Sequence, residues 1–275
     1  MIDFKEILGN VRQNVPLVHN ITNYVTVNDC ANILLACGGS PIMSDDTEDV
    51  IDITSICGGL NINIGTLNKI TIPSMFLAGK RANELGHPVL LDPVGAGASR
   101  IRTETAAKLL EEIRFAVIRG NISEIKALAQ GSASTKGVDA DENDQVNTGN
   151  LDGVIAFAKA FSVKTGAVVA ITGALDVITD GEQVCLIHNG HPMMSRITGT
   201  GCMLSAMTTA FVTANPGKPF EAVCAAVIAM GLSGEIAYGR LSALDGNAGY
   251  RNYIIDAVYN LTAEQLEDGA KYEMR

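Results

Sequence analysis

Phe115-Ala-Val-Ile-Arg-Gly-Asn-Ile-Ser-Glu124 decides the fold, because an apolar, partly β-branched run stops at Arg119-Gly120 and a helix-start pattern follows at once. The same grammar recurs along the chain. Strands are predicted over 15–21, 60–64, 88–91, 115–118 and 167–171, with helices over 27–36, 72–85, 104–113, 151–161, 203–213 and 221–238. Strands alternating with helices predict an α/β fold with a mostly parallel central sheet and helices on both faces. Such sheets bind ligands beyond the carboxyl ends of their strands. Chemistry is therefore sought at residues 20–23, Gly65-Thr66, Asp92-Pro-Val-Gly95, Arg119-Gly-Asn121 and Thr172-Gly173. No internal repeat or linker interrupts the pattern, so a single domain over 1–275 is expected.

Composition narrows the function classes. The chain is 47% hydrophobic, enough to bury a large core, and its net charge of −10 opposes a broad surface for nucleic acid or anionic lipid. The acidic start MIDFKEILGN does not read as a signal peptide, and the apolar run 222–232 is too short to span a bilayer, so a cytoplasmic protein with a buried helix there is expected. Six scattered cysteines without C-x-x-C spacing argue against a disulfide framework or structural zinc. In the polar segment 131–150, Asp139, Asp141 and Asn143 echo a calcium loop. Asp144 stands where that loop needs glycine and Asn150 where it needs glutamate, so calcium is rejected.

The turn Gly199-Thr-Gly-Cys202 precedes a run of helix formers. Glycines let a ligand approach the backbone, and first-turn amides lack intrahelical acceptors, so an anion fits there; a tight turn that merely starts a buried helix fits the local pattern equally. Neither a P-loop nor a complete dinucleotide fingerprint is present. Asn121 and Glu124, three residues apart, can offer oxygen to magnesium or can simply cap a helix. Asp92, Arg119 and Thr172 stand at strand ends, where a carboxylate can orient a metal ion, an arginine can grip phosphate, and a hydroxyl can add one more hydrogen bond. Cys202 at a helix start is expected to have its thiolate stabilised.

Taken together, the segments 18–23 (VHNITN), 39–43 (GSPIM), 63–66 (NIGT), 91–97 (LDPVGAG), 119–124 (RGNISE), 171–173 (ITG) and 198–202 (TGTGC) resemble the hydroxyethylthiazole kinases of the ribokinase-like superfamily, in order and spacing over nearly the whole chain. The resemblance implies transfer of the ATP γ-phosphoryl group, with Mg2+, to the alcohol of 4-methyl-5-(2-hydroxyethyl)thiazole for thiamine salvage. It implies a homotrimer with thiazole pockets between subunits. By matched position, Asn23, Met43, Gly65 and Gly199 would contact thiazole and Arg119 and Thr172 would contact ATP; the oxygen-bearing residues are then expected to serve beside them, Asn121 at ATP and Asp92 and Glu124 at the metal ion. Gly199, Thr200, Gly201 and Cys202 would form the catalytic turn, with Cys202 where the wider superfamily usually has aspartate. Two competing expectations remain: a kinase of another heteroaromatic alcohol such as hydroxymethylpyrimidine, and a hydrolase in which Cys202 is activated by His19, His87, His188 or His191.

Overall fold

The computed structural model describes residues 2–130, 146 and 149–275. Asp139, Asp141, Asn143 and Asp144 lie outside them. In chain order the elements are α1 (Phe4–Asn14), β1 (Leu17–Ile21), α2 (Val27–Cys37), β2 (Ser40–Met43), α3 (Val50–Ile56), β3 (Gly59–Asn63), α4 (Thr71–Leu85), β4 (Val89–Asp92), α5 (Arg100–Glu112), β5 (Val117–Gly120) and α6 (Ile122–Gln130). They continue with α7 (Leu151–Thr165), β6 (Val168–Ile171), β7 (Asp176–Thr179), β8 (Val184–Ile187), α8 (Thr200–Ala214), α9 (Pro219–Gly239), α10 (Asn247–Asn260), α11 (Ala263–Gly269) and β9 (Tyr272–Met274).

Among the described residues the strands form one sheet in the order β2-β1-β3-β4-β5-β6-β7-β8-β9. Pairing is parallel through β6 and antiparallel across β7, β8 and β9. Successive side chains of a strand point to opposite faces, and both faces here are covered. Leu90 packs into one core with α1, α2, α8 and α9, whereas Val89 and Leu91 pack into the other with α4, α5 and α7. This double burial explains why the parallel strands read as continuous apolar runs.

The expected elements form with ends shifted by a few residues. Val15 leaves the expected first strand because it closes α1 in the left-handed conformation, φ 43°, with its N–H on Val11 O. The antiparallel edge, strands of three or four residues, escaped the sequence reading. A signal was present: Asp180-Gly181 is a hairpin dipeptide, Gly181 has φ 98°, and Asp180 Oδ1 accepts from the Glu182 and Gln183 amides. α9 is long and apolar enough by length and composition to cross a membrane, but most of it is buried between α8 and α10, as a core helix should be.

Candidate active site

The carboxyl ends of five neighbouring parallel strands converge beneath the N-terminus of α8. Asn63, the last residue of β3, is in register with Asp92, the last of β4. Asp92 is fully buried; its Oδ2 accepts from Asn63 Nδ2 at 2.9 Å and Ser205 Oγ at 2.8 Å, with Arg119 Nη1 3.7 Å away. Burial pushes the Asp92 carboxyl up to about 7, against the pull of Arg119 and with the Glu124 charge adding to the rise. The network continues through Asn63 Oδ1, which accepts from Gly65 N at 2.8 Å and Asn23 Nδ2 at 3.2 Å. Asn23 Nδ2 also reaches Cys202 Sγ at 3.4 Å, and its Oδ1 accepts from Thr26 Oγ1 at 3.1 Å.

Above this network, Gly199 caps α8 with φ 90°, and no side chain caps the helix. The first-turn amides of Thr200, Gly201 and Cys202 therefore face outward without intrahelical partners and carry the positive end of the helix dipole. Gly199 is a steric necessity, and at Gly201 the backbone comes close to the Arg119 fork. A Cβ on Gly199 would lie 2.7 Å from Thr26 Cγ2, and one on Gly201 would lie 2.6 Å from Arg119 Nη1. Arg119, from β5, donates through Nη2 to Thr172 Oγ1 at 2.5 Å, just past the end of β6.

Two cavities open here. The larger, about 600 Å³, has Leu204, Val227 and Met230 among its apolar lining and runs from Thr200 to the 189–195 segment. The smaller, about 370 Å³, is lined by Asn23, Gly65, Asp92, Asn121, Glu124, Gly199 and Cys202. Arg119, Thr172 and Gly201 line both. A reacting group held at that shared wall touches the helix N-terminus and one guanidinium at once, which suits a migrating anion.

Most residues singled out in the sequence thus meet at one place; Met43 does not. It ends the edge strand β2, opposite Asn20, and lines neither cavity of its own chain. Asn121 and Glu124 form the helix-capping arrangement: Glu124 N donates to Asn121 Oδ1 at 2.8 Å and Asn121 N to Glu124 Oε2 at 2.9 Å. Glu124 Oε1 also accepts from Gly95 N at 2.9 Å, so its carboxylate holds two turns of the cleft together.

The expected thiolate is corrected. Burial first, and then the Asp92 charge, push the Cys202 thiol above its ordinary value despite hydrogen bonds from Thr26, Asn23 and Asn63. The helix terminus does not outweigh the loss of water, so Cys202 rests as a neutral thiol. The hydrolase arrangement also fails. Both ring nitrogens of His19 are engaged by Thr54 Oγ1 and Ser44 O, His191 Nδ1 accepts from Met193 N, and the side chains that hydrogen-bond the sulfur are Asn23, Thr26 and Asn63 rather than any of the four histidines. Asn189, between His188 and His191, is buried.

Sequence reasoning missed Asn63, Ser205, Thr26 and Asp176. Ser205 and Thr26 look like ordinary helix residues until the fold aims them at Asp92 and Asn23. Asp176 lines the larger cavity; burial pushes its carboxyl up to about 7, opposed by the Gly173 amide that donates to it and by Arg119.

Among the described residues, no three His, Cys, Asp or Glu side chains form a metal cage. Magnesium needs less, because it takes one or two carboxylates and completes its shell with phosphate oxygens and water. Asp92 Oδ1 is a buried oxygen with no hydrogen-bond partner, and Glu124 stands in the same cavity. That donor set fits the ion implied by the resemblance.

A sequence profile of the hydroxyethylthiazole kinase family matches residues 8–264. Over 269 residues the chain is 66% identical to a hydroxyethylthiazole kinase of Clostridium acetobutylicum, covering 98% of both chains. It is 54% identical to one from Ruminiclostridium cellulolyticum, over 92% of this chain and 90% of that one. The solved hydroxyethylthiazole kinase of Pyrococcus horikoshii is similar with TM-score 0.87 and 34% identity, covering 99% of this chain and 98% of that one. A pyridoxal kinase of Staphylococcus aureus in complex with AMP-PCP and pyridoxal shares the fold at TM-score 0.60 and 15% identity, over 95% and 99% of the two chains.

Proposed function

Because the chain belongs to the hydroxyethylthiazole kinase family, and so phosphorylates a thiazole alcohol, we propose that its two cavities divide the substrates between them. The larger takes ATP and the smaller takes 4-methyl-5-(2-hydroxyethyl)thiazole, giving its phosphate for thiamine salvage. The observation that carries this division is the shared wall of Arg119, Thr172 and Gly201, where the γ-phosphoryl group of one substrate meets the hydroxyl of the other.

Phosphoryl transfer passes through a loose transition state, so positioning and charge neutralisation supply most of the rate. The α8 amides at Thr200, Gly201 and Cys202 cradle the equatorial oxygens, and Arg119 grips them from the side with its fork fixed by Thr172. Asp92 and Glu124 would hold Mg2+, which when bound neutralises phosphate charge. Asn23, itself held by Asn63 and Thr26, orients the acceptor beside Cys202. The test is incubation with ATP, Mg2+ and a panel of thiazole and pyrimidine alcohols, followed by mass analysis. A phosphate on the thiazole alcohol supports the reading, and selective phosphorylation of the pyrimidine alcohol overturns it.

A neutral thiol is no ready base, and the attacking alcohol needs little early deprotonation. Cys202→Asp is therefore expected to keep turnover within about tenfold of the parent, because positioning and charge neutralisation rather than proton removal set the rate. Normal binding of both substrates without turnover would show that the thiol is irreplaceable.

We place the protein in a reducing cytoplasm, on the support of six free, buried cysteines. We also propose a homotrimer in which a neighbour completes the smaller cavity. Val25 (53% exposed) lines that cavity, the still more exposed Tyr24 (79%) precedes it in the chain, and β2 carries Met43 on the sheet's open edge. Light scattering should give three times the 28.9 kDa chain mass, and Val25→Asp should lower that mass and raise the KM for the alcohol. A monomeric parent refutes the assembly.

A further inference from the structure

The larger cavity has a wall that phosphoryl transfer leaves without a role. Residues 189–195, between β8 and α8, line it with Asn189, Gly190, His191 and Met194. Apart from the short 3-10 turn Pro192–Arg196, this segment has no regular structure to hold its shape. α9 holds it from outside. A Cβ on Gly231 would lie 2.7 Å from Asn189 O, and one on Gly234 would overlap Met194 Sδ, so the wall's chain rests directly on the helix.

Glu235, one residue further, is the polar fastening. Its Oε1 accepts from Gly190 N at 2.9 Å and Asn189 Nδ2 at 3.1 Å, while Oε2 accepts from Lys271 Nζ at 2.6 Å. Asn189 completes the joint by donating to Gly269 O at 2.9 Å and accepting from Lys271 N at 2.8 Å. Helix, wall and C-terminal segment therefore meet at one carboxylate. Partial burial alone would raise its pKa, but the Lys271, Gly190 and Asn189 donors outweigh burial and hold the carboxyl below its ordinary value. Glu235 lines neither cavity.

We infer that Glu235 is a positioning residue for the nucleotide, one that fixes the Asn189–Gly190 wall of the larger cavity before ATP arrives. The inference rests on the assignment of ATP to that cavity. A wall already ordered spares the ligand the entropy of ordering it, so loosening the wall weakens ATP binding and leaves the acceptor side alone. His191 extends the effect, since its ring stacks on Tyr238 of the same helix at 3.5 Å.

The experiment measures the ATP Kd, both KM values and kcat for Glu235→Ala, Glu235→Gln, Lys271→Met and Ala174→Trp. Glu235→Ala is expected to raise the Kd and KM for ATP about tenfold, the usual cost of losing hydrogen bonds to a charged group. The KM for the alcohol, and kcat at saturating ATP, should stay within about twofold, because Glu235 lies outside the shared wall. Glu235→Gln keeps an oxygen for the Gly190 amide and should recover most of the affinity, whereas Lys271→Met removes a half-exposed pair and should change little. Equal shifts in both KM values, or a glutamine variant as weak as the alanine one, overturn the inference. Should Glu235→Ala fail to fold, Glu235→Asp, one methylene too short for the same reach, carries the same expectation. Ala174→Trp fills the mouth of the larger cavity and separates the two failures. ATP binding retained there overturns the cavity assignment, while binding lost there but intact in Glu235→Ala overturns only the role of Glu235.

Discussion

Gly199→Val is expected to lower kcat/KM by at least about 10³ while the protein stays folded, since losing one fixed amide donor already costs about 10² to 10³ in such sites. The position has φ 90°, which a β-branched residue adopts only with strain, and the new Cβ would lie 2.7 Å from Thr26 Cγ2 and 3.9 Å from Asp29 Oδ2. Relief requires the turn to move away from α2, and the three first-turn amides move with it. The strain of about 1–3 kcal/mol is a fraction of the roughly 5–15 kcal/mol that holds a domain folded. Kinetics together with a thermal melt checks both halves. Turnover within tenfold of the parent would mean that these amides do not cradle the migrating group.

Arg119→Ala should cost a similar factor, about 10³, mostly in kcat, because a guanidinium aimed at transferring phosphate acts chiefly in the transition state. Two consequences compound. The fork beside Gly201 and Thr172 is lost, and the fully buried Asp92 loses the cation that opposes its rise toward neutrality. Asp92 then holds its proton more firmly and becomes a poorer oxygen ligand. Arg119→Lys restores a charge but not two parallel donors, so it should recover only part of the rate. Steady-state kinetics with ATP varied reads the split between kcat and KM. A rise in the KM for ATP with kcat unchanged would reduce Arg119 to a ground-state contact.

Much of the site was legible in the sequence because its parts sit at predictable places. Asp92, Arg119 and Thr172 each stand at or just past the carboxyl end of an apolar strand, and an open α/β sheet presents such residues at one rim. The Gly199-Thr-Gly201 turn was recognisable because its signal is local: glycine conformations and the free amides of the next turn. Glu124 shows the limit of spacing. Its distance from Asn121 allowed both a metal ligand and a cap, and only its hydrogen bonds to the Gly95 and Asn121 amides show that the cap forms.

What the sequence by itself determined is whatever depends on neighbours within about one helical turn: strand against helix, double-faced burial and the glycine turn that opens α8. The tertiary structure alone decided what those pieces do to one another. It ran Asn23, Asn63, Asp92 and Ser205, drawn from one loop and three separate elements, into one hydrogen-bonded chain. It also turned an expected thiolate into a neutral thiol. The physical reason is that desolvation and charge coupling act through space, so the state of Cys202 depends on Asp92, 110 positions away in sequence, as much as on the helix that begins beside it.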